Sequence, residues 1–392
     1  MGVPGRASAT ALVAAALSVT VGLTLTGCTS SGRGATSPVS HTNYPAPSAN
    51  APTAAPVSRP ALVWTPRHVP AGLGPAVARL AGVAAVVTVG NGTTWLADRN
   101  HGPPGMSVPV DVSTADPRKY AAAVPATPAV MKHLSPGQVV LSTDSARLRR
   151  LRVGDVTSPS GVALRVAAIV PDQVIGDAEM FVTAADGRRL GVPAARYVLV
   201  RPTTAAAWPT IAAGVRAFVG QHALLRIRAP GTARWLREGD AVLPPLLEKL
   251  RFGEFAADPH ATAAGYLTID PRWLSRRLVT APVPILGRVT CNRAFIPPLR
   301  AALRDVVRRH LQGLINPHDY GGCFAPRLIP GQPGQSISHH AYGSALDINV
   351  SANEQGQRPR QDRRLVRIFA AHRLTWGGAW LVPDGMHFEF LG

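Results

Sequence analysis

The chain of 392 residues is short of cysteine, short of acid and short of long apolar runs. It has three cysteines, 22 Asp and Glu against 41 Lys and Arg, and a net charge of +19. No zinc finger, helix-turn-helix or aromatic RNA platform is visible, so nucleic acid is not an expected partner despite the basic balance. No G-x-S-x-G elbow is present, which speaks against a serine hydrolase. After the first 28 residues no segment is long and apolar enough to span a bilayer. The charge excess still calls for a polyanion or a solvated arginine-rich surface.

The one apolar run sits at the start. Arg6 supplies a weak positive region, Ala11 to Leu25 a mostly apolar stretch, and Leu25-Thr26-Gly27-Cys28 fits a lipobox. Residues 1–28 therefore read as a lipoprotein signal peptide, with Cys28 as the lipid attachment point on the outer face of the cytoplasmic membrane. At that location the polyanions on offer are anionic membrane lipids and wall polymers. Setting Cys28 aside leaves Cys291 and Cys323, an even pair in an exported protein and the expected disulfide. It would close a loop of about 30 residues, worth on the order of 3–4 kcal/mol.

Residues 29–60 are rich in Ser, Thr, Pro and Ala without apolar periodicity, and read as a flexible tether. Residues 61–220 read as an α+β accessory domain. Val83 to Val89 looks like a strand and Gly90-Asn91-Gly92 its hairpin turn. Val162 to Val170 and Phe181 to Thr183 are further strands, Asp186-Gly187 another turn, and Ala205 to Phe218 a helix with Pro209 in its first turn. No catalytic residue types cluster there. The runs Leu141 to Ala146 and Leu151 to Asp155 faintly resemble the extracytoplasmic domain of MacB-like permeases.

Chemistry concentrates in residues 240–392. Ser338-His339-His340-Ala341-Tyr342-Gly343-Ser344-Ala345-Leu346-Asp347 has the spacing S-x-H-x-x-G-x-A-x-D, and Asp384 to Glu389 follows as D-x-x-H-F-E. Two imidazoles and a carboxylate can hold zinc through three ligands and leave a fourth position open, the mark of a catalytic rather than a closed structural site. Leu346 and Ile348 alternate with Asp347, and Phe388 and Phe390 with His387 and Glu389, so each segment offers a ligand from the polar side of a strand. His339 and His340 adjoin. Strand alternation lets only one face the metal, and the spacing to Gly343 and Asp347 selects His340.

Six stretches resemble the zinc-dependent D-alanyl-D-alanine carboxypeptidase and endopeptidase family of cell-wall enzymes, in its extensin-like C-terminal branch. They are Pro284 to Gly287, Cys291-Asn292-Arg293, Gly322-Cys323 with Pro326-Arg327, the S-x-H-x-x-G-x-A-x-D run, Trp376 to Trp380, and Asp384 to Glu389. The resemblance implies that His340, Asp347 and His387 bind zinc, that Asp384 is the base, and that Arg327 contacts substrate. Relatives carry Glu-x-x-His or Asp-Pro-x-His where this chain has Asp384-Gly385-Met386-His387, a departure that loosens the turn. Ser338 either hydrogen-bonds substrate or caps a turn. Glu389 either orients His387 or is a surface residue. Trp376 and Trp380 line a cleft or pack in the core.

Around these motifs, Ile296 to Leu314 has an amphipathic helical pattern with His310 packed near its apolar stripe, and Leu365, Ile368, Phe369 and His372 mark another helix. The expected fold is an α+β zinc peptidase domain with a small antiparallel sheet, preceded by a separate α+β domain. The expected activity is hydrolysis of peptidoglycan stem peptides. The rival reading is a non-catalytic, zinc-containing wall-binding or regulatory lipoprotein. Asp384 argues against it, because a structural site does not need a fourth carboxylate.

Overall fold

Alternating apolar residues in the first half of the chain build one sheet of nine strands in the computed structural model. They are β1 (Ala61–Trp64), β2 (Val83–Leu96), β3 (Val108–Ala115), β4 (Gln138–Ser142), β5 (Val156–Thr157), β6 (Leu164–Val170), β7 (Met180–Thr183), β8 (Tyr197–Pro202) and β9 (Arg226–Arg228), in the order β5-β6-β4-β7-β3-β2-β8-β1-β9. Only β3 with β7 and β4 with β6 pair in parallel. The helices on this part are α1 (Leu73–Ala78), α2 (Pro117–Ala123), α3 (Ala129–Lys132), α4 (Thr143–Arg149), α5 (Ala184–Arg189) and α6 (Trp208–Val219). The structure describes residues 59–391 apart from 98–102, 221–222, 238–239, 241, 261, 330–333 and 335. The signal segment, Cys28 and all but the last two residues of the 29–60 tether lie outside the described residues.

Two expected turns are absent. Gly90-Asn91-Gly92 runs inside β2. The Asn91 amide donates to Asp111 Oδ1 at 3.1 Å and to the Val112 carbonyl at 3.2 Å, so cross-strand partners satisfy the polar residue that suggested a turn. A side chain at Gly90 would collide with the Pro193 carbonyl, so packing accounts for that glycine. Asp186-Gly187 lies in α5, where Thr183 caps the helix by accepting from the Asp186 N–H at 3.2 Å.

The second part begins with α7 (Pro245–Phe252) and α8 (Pro271–Arg277), then a hairpin of β10 (Leu278–Val283) and β11 (Gly287–Asn292), then α9 (Ile296–Arg308). A four-stranded antiparallel sheet follows, ordered β12-β13-β15-β14 from β12 (Tyr320–Gly322), β13 (Ala345–Ile348), β14 (Leu374–Trp376) and β15 (His387–Phe390), with α10 (Arg363–Ala371) between β13 and β14 in the chain. The mixed helix and strand class, with a small antiparallel sheet after a larger one, is as expected. α9 stops six residues earlier than its pattern suggested. His310 takes a left-handed φ of 56°, and the Leu311 N–H returns to the Val306 carbonyl at 3.0 Å, a closing bond that ends helices. His310 is consequently exposed rather than packed.

Apolar side chains of α9 (Leu299, Leu303, Val306) and α10 (Leu365, Ile368, Phe369) form one core with Leu346, Ile348 and Phe388 of the small sheet. Cys291 and Cys323 are joined, Cα to Cα 5.4 Å, tying β11 to the chain just past β12. Among the described residues no helix is long and apolar enough to cross a membrane.

α7 joins the two sheets through consecutive residues. Lys249 is buried against Glu179 Oε1 at 2.7 Å and Glu254 Oε1 at 3.0 Å, and Arg149 reaches Glu179 Oε2 at 2.5 Å and Glu254 Oε1 at 2.9 Å. Its neighbour Glu248 points the other way, toward the small sheet.

Candidate active site

Strand register brings two of the three sequence-nominated ligands together. Asp347 of β13 and His387 of β15 are direct antiparallel partners, flanked by the pairs Leu346 with Phe388 and Ala345 with Glu389. Directly opposed side chains on one face lie about 5 Å apart at Cβ. Phe388 is on the other face, its ring 4.7 Å from that of Phe369. The apolar side of the sheet thus faces the helices, and the ligand side faces away.

His340 arrives from a 3-10 turn, His339–Tyr342, not from a strand. Ser338 caps that turn, its hydroxyl accepting from the His340 N–H at 3.3 Å. Gly343 closes it in the left-handed region at φ 66°, where a Cβ would lie 2.7 Å from the backbone nitrogen of Asn292. The geometry separates His340 from His339 as expected, though by helical turn rather than by strand alternation.

Three donor atoms converge. His340 Nε2, Asp347 Oδ1 and His387 Nδ1 are 3.1–3.3 Å apart pairwise, and all three residues are buried. The outer nitrogen of each imidazole is held by an acceptor: His340 Nδ1 by the Cys323 carbonyl at 2.9 Å, His387 Nε2 by Glu389 Oε2 at 3.3 Å. In the neutral imidazoles a proton on each outer nitrogen, where it meets its acceptor, would leave the inner nitrogen free for a metal. The disulfide gains a role here, since it anchors the residue whose carbonyl orients His340.

Electrostatics say that this point wants positive charge. Burial works against a charged His387, but hydrogen bonds and charge from Asp347 and Glu389 outweigh it and raise its pKa to about 10. Burial also works against a charged Asp347, yet the two histidines against it, His340 and His387, hold its carboxyl well below the usual range. Three lone pairs at such distances repel unless a proton or a cation lies between them. Two imidazoles and one carboxylate, with outer partners fixed, fit zinc.

Asp384 is buried, and its Oδ1 has no hydrogen-bond partner among the described residues. Burial raises its pKa, with His387 opposing and Asp347 reinforcing the shift. The turn before His387 is not loosened by Gly385: a Cβ there would lie 3.0 Å from Asn353 Oδ1 and from Pro359 Cβ, and Trp376 Nε1 donates to the Gly385 carbonyl at 2.8 Å. Trp376 therefore clamps the turn, and Trp380 lies with its ring 5.1 Å from that of His387, so both indoles border the site. Arg327 is half-buried, close enough for its charge to act on Asp384, and makes no ion pair with any described residue.

Behind the donors stands a layer of which the sequence motifs nominated only Glu389. Glu389 Oε2 accepts from His339 Nδ1 at 2.7 Å, and Glu248 of α7 lies 3.3 Å from the same nitrogen. His339 Nε2 meets the Leu243 carbonyl at 3.1 Å, so both ring nitrogens face acceptors. Despite burial, the two glutamates raise the His339 pKa to about 9. Burial raises the Glu248 pKa to about 7, and the Ser344 hydroxyl donates to its carboxylate at 3.2 Å. His339 was set aside as a metal ligand, and it instead locks Glu389 onto His387.

Residues 332–390 match the family model described as D-alanyl-D-alanine carboxypeptidase. No curated protein matches the chain. Solved structures similar to part of it include the extracellular domain of the noncanonic ABC-type transporter YknZ from Gram-positive bacteria, at 12% identity over 43% of this chain and 98% of that one, TM-score 0.33. Another is the periplasmic region of MacB from Actinobacillus actinomycetemcomitans, at 9% identity over 44% of this chain and 89% of that one, TM-score 0.34.

Proposed function

We propose that the C-terminal part is a zinc-dependent peptidase that hydrolyses peptidoglycan stem peptides, carried by a lipoprotein anchored through Cys28 on the outer face of the cytoplasmic membrane. The observation that carries this reading is the convergence of His340 Nε2, Asp347 Oδ1 and His387 Nδ1 beside a buried carboxylate oxygen, Asp384 Oδ1, that has no partner among the described residues. The family match over residues 332–390 supports it.

The chemistry zinc supplies when bound is Lewis acidity, which makes water nucleophilic near neutral pH and takes up charge on a carbonyl oxygen. His340, Asp347 and His387 would hold it, each kept in register by a neighbour. Asp384 is the proton carrier: its oxygen accepts a proton from the attacking water and returns it to the leaving amine. Its raised pKa brings the carboxyl nearer neutrality and suits that exchange. Arg327 offers a planar cation for the scissile carbonyl or the terminal carboxylate of a stem peptide. Ser338 serves the turn that carries His340, and Trp380 packs beside the His387 ring.

The test is mass spectrometry of purified muropeptides incubated with the protein, with and without chelator. Wild type should release a D-amino acid or split a cross-link, and Asp384→Asn should retain zinc while hydrolysis falls by roughly two or more orders of magnitude. A wild-type protein that binds wall fragments with zinc in place yet cleaves none would establish the binding-module reading instead.

A further inference from the structure

The charge excess of the second part is not spread evenly. From Leu243 onward there are eighteen Lys and Arg against eleven Asp and Glu. Eight of those arginines and only two of the acids fall on α9, α10 and the residues capping them, 296–309 and 362–373, which leaves the remainder near balance at ten against nine. Seven of the eight arginines are exposed, and Arg300 is half-buried. The two acids are committed: Asp305 pairs with Arg308 and lies 2.8 Å from His372, and Asp362 lies 2.8 Å from Arg364. Arg304, Arg363, Arg367 and Arg373 make no ion pair with a described residue.

Between the two helices runs a groove of about 320 Å³, edged by Arg309, Arg364, Arg367 and Asp305, with Leu311 and Ile368 among its lining. Guanidinium groups around a partly apolar floor suit an anionic headgroup joined to acyl chain better than a fully hydrated polymer.

Orientation decides between the polyanions. Phe388 turns toward α10, and Asp347, His387 and Glu389 project from the opposite side of the sheet. A surface bound through α9 and α10 therefore lies behind the metal donors. A wall polymer held there would be kept away from the site, whereas a membrane held there turns the site outward. We infer that the arginine face of α9 and α10 docks on an anionic lipid surface and points the candidate metal site away from the bilayer. The outward-facing site rests on the peptidase reading; the docking itself does not.

The experiment is sedimentation of the chain from residue 29, which retains every described residue, with vesicles of phosphatidylglycerol in phosphatidylcholine or of phosphatidylcholine alone. Binding should require the anionic lipid and fade with added salt. The variant Arg304→Gln, Arg363→Gln, Arg367→Gln should lose roughly fivefold per arginine, about a hundredfold in all. A charge-matched control on the large sheet domain, Arg79→Gln, Arg118→Gln, Arg216→Gln, should lose far less. Muropeptide hydrolysis in solution is unaffected by the first variant, so failure of docking and failure of the peptidase reading are separable. The inference is overturned if both triple variants bind alike, if lipid charge makes no difference, or if a soluble phosphodiester polymer binds this face more tightly than the vesicles.

Discussion

Two clusters of ionisable side chains are buried on either side of α7, and they are built on opposite plans. At the junction with the large sheet, Arg149 and Lys249 face Glu179 and Glu254, two cations against two anions with each charge answered by protein. At the small sheet, His340, Asp347 and His387 turn their donor atoms to one point, with Asp384 Oδ1 beside them lacking a partner among the described residues. A closed set of ion pairs holds elements together. An open set of donors, kept in place by outer hydrogen bonds, suits a cation and a substrate. Burial alone does not distinguish structural from functional polarity; whether the charges close on themselves does.

The largest effect should come from opening the closed cluster. Glu179→Ala leaves Arg149 and Lys249 sharing the Glu254 carboxylate, and removing one partner from a buried ionic set costs about 3–5 kcal/mol. Denaturant unfolding should show it, and the zinc content of the molecules that remain folded should be unchanged. Asp384→Asn should shift stability by less than about 1 kcal/mol, because its buried Oδ1 has no hydrogen-bond partner among the described residues to lose. If Glu179→Ala proved neutral and Asp384→Asn strongly destabilising, the two clusters would have been assigned the wrong way round.

The next effect lies between the clusters. His339 touches neither the donor atoms nor the junction pairs, but it bridges Glu248 and Glu389, and Glu389 holds His387. His339→Gln should weaken zinc affinity by roughly 10–100-fold, as loss of an outer partner does at metal sites. Competition with a chelator of known affinity measures it, with circular dichroism confirming the fold. Unchanged affinity would reduce His339 to a packing residue.

What the sequence made legible follows from distance along the chain. His340 and Asp347 are seven apart, and Asp384 and His387 three apart, so local spacing displays each pair. Strand alternation then indicates which side chains share a face. Glu248 stands 91 positions before His339 in a short helix with no motif of its own, and only the packing of α7 beneath the sheet brings it there. Gly90-Asn91-Gly92 carries turn chemistry in a strand because Asp111, Val112 and Pro193 answer it from elsewhere in the fold. Local rules found what lies near in sequence, and they missed contacts made by tertiary packing.

The smallest expected effect tests a third arrangement, burial of a carboxylate in neither kind of cluster. Asp177 is 6% exposed and sits at the end of the turn after β6, at a left-handed φ of 60°. Burial, reinforced by the charge of nearby Asp172, raises its pKa to about 6, with Arg237 and Arg59 opposing. Well below pH 4 the carboxyl is protonated in both folded and unfolded chains and costs nothing. As pH rises from about 4 to 6 the unfolded chain ionises first, so stability falls across that window; above it the penalty is complete and constant. Asp177→Asn should therefore leave stability nearly unchanged near pH 3 and raise it by about 1–2 kcal/mol at pH 8. That is less than two pKa units represent, because local relaxation screens part of the cost. Asparagine accepts the left-handed backbone as readily as aspartate, so conformational strain does not confound the comparison. Unfolding curves at the two pH values decide it: an equal gain at both would mean the charge is irrelevant, and a loss at pH 8 would mean that Arg237 and Arg59 already close this site as the junction is closed.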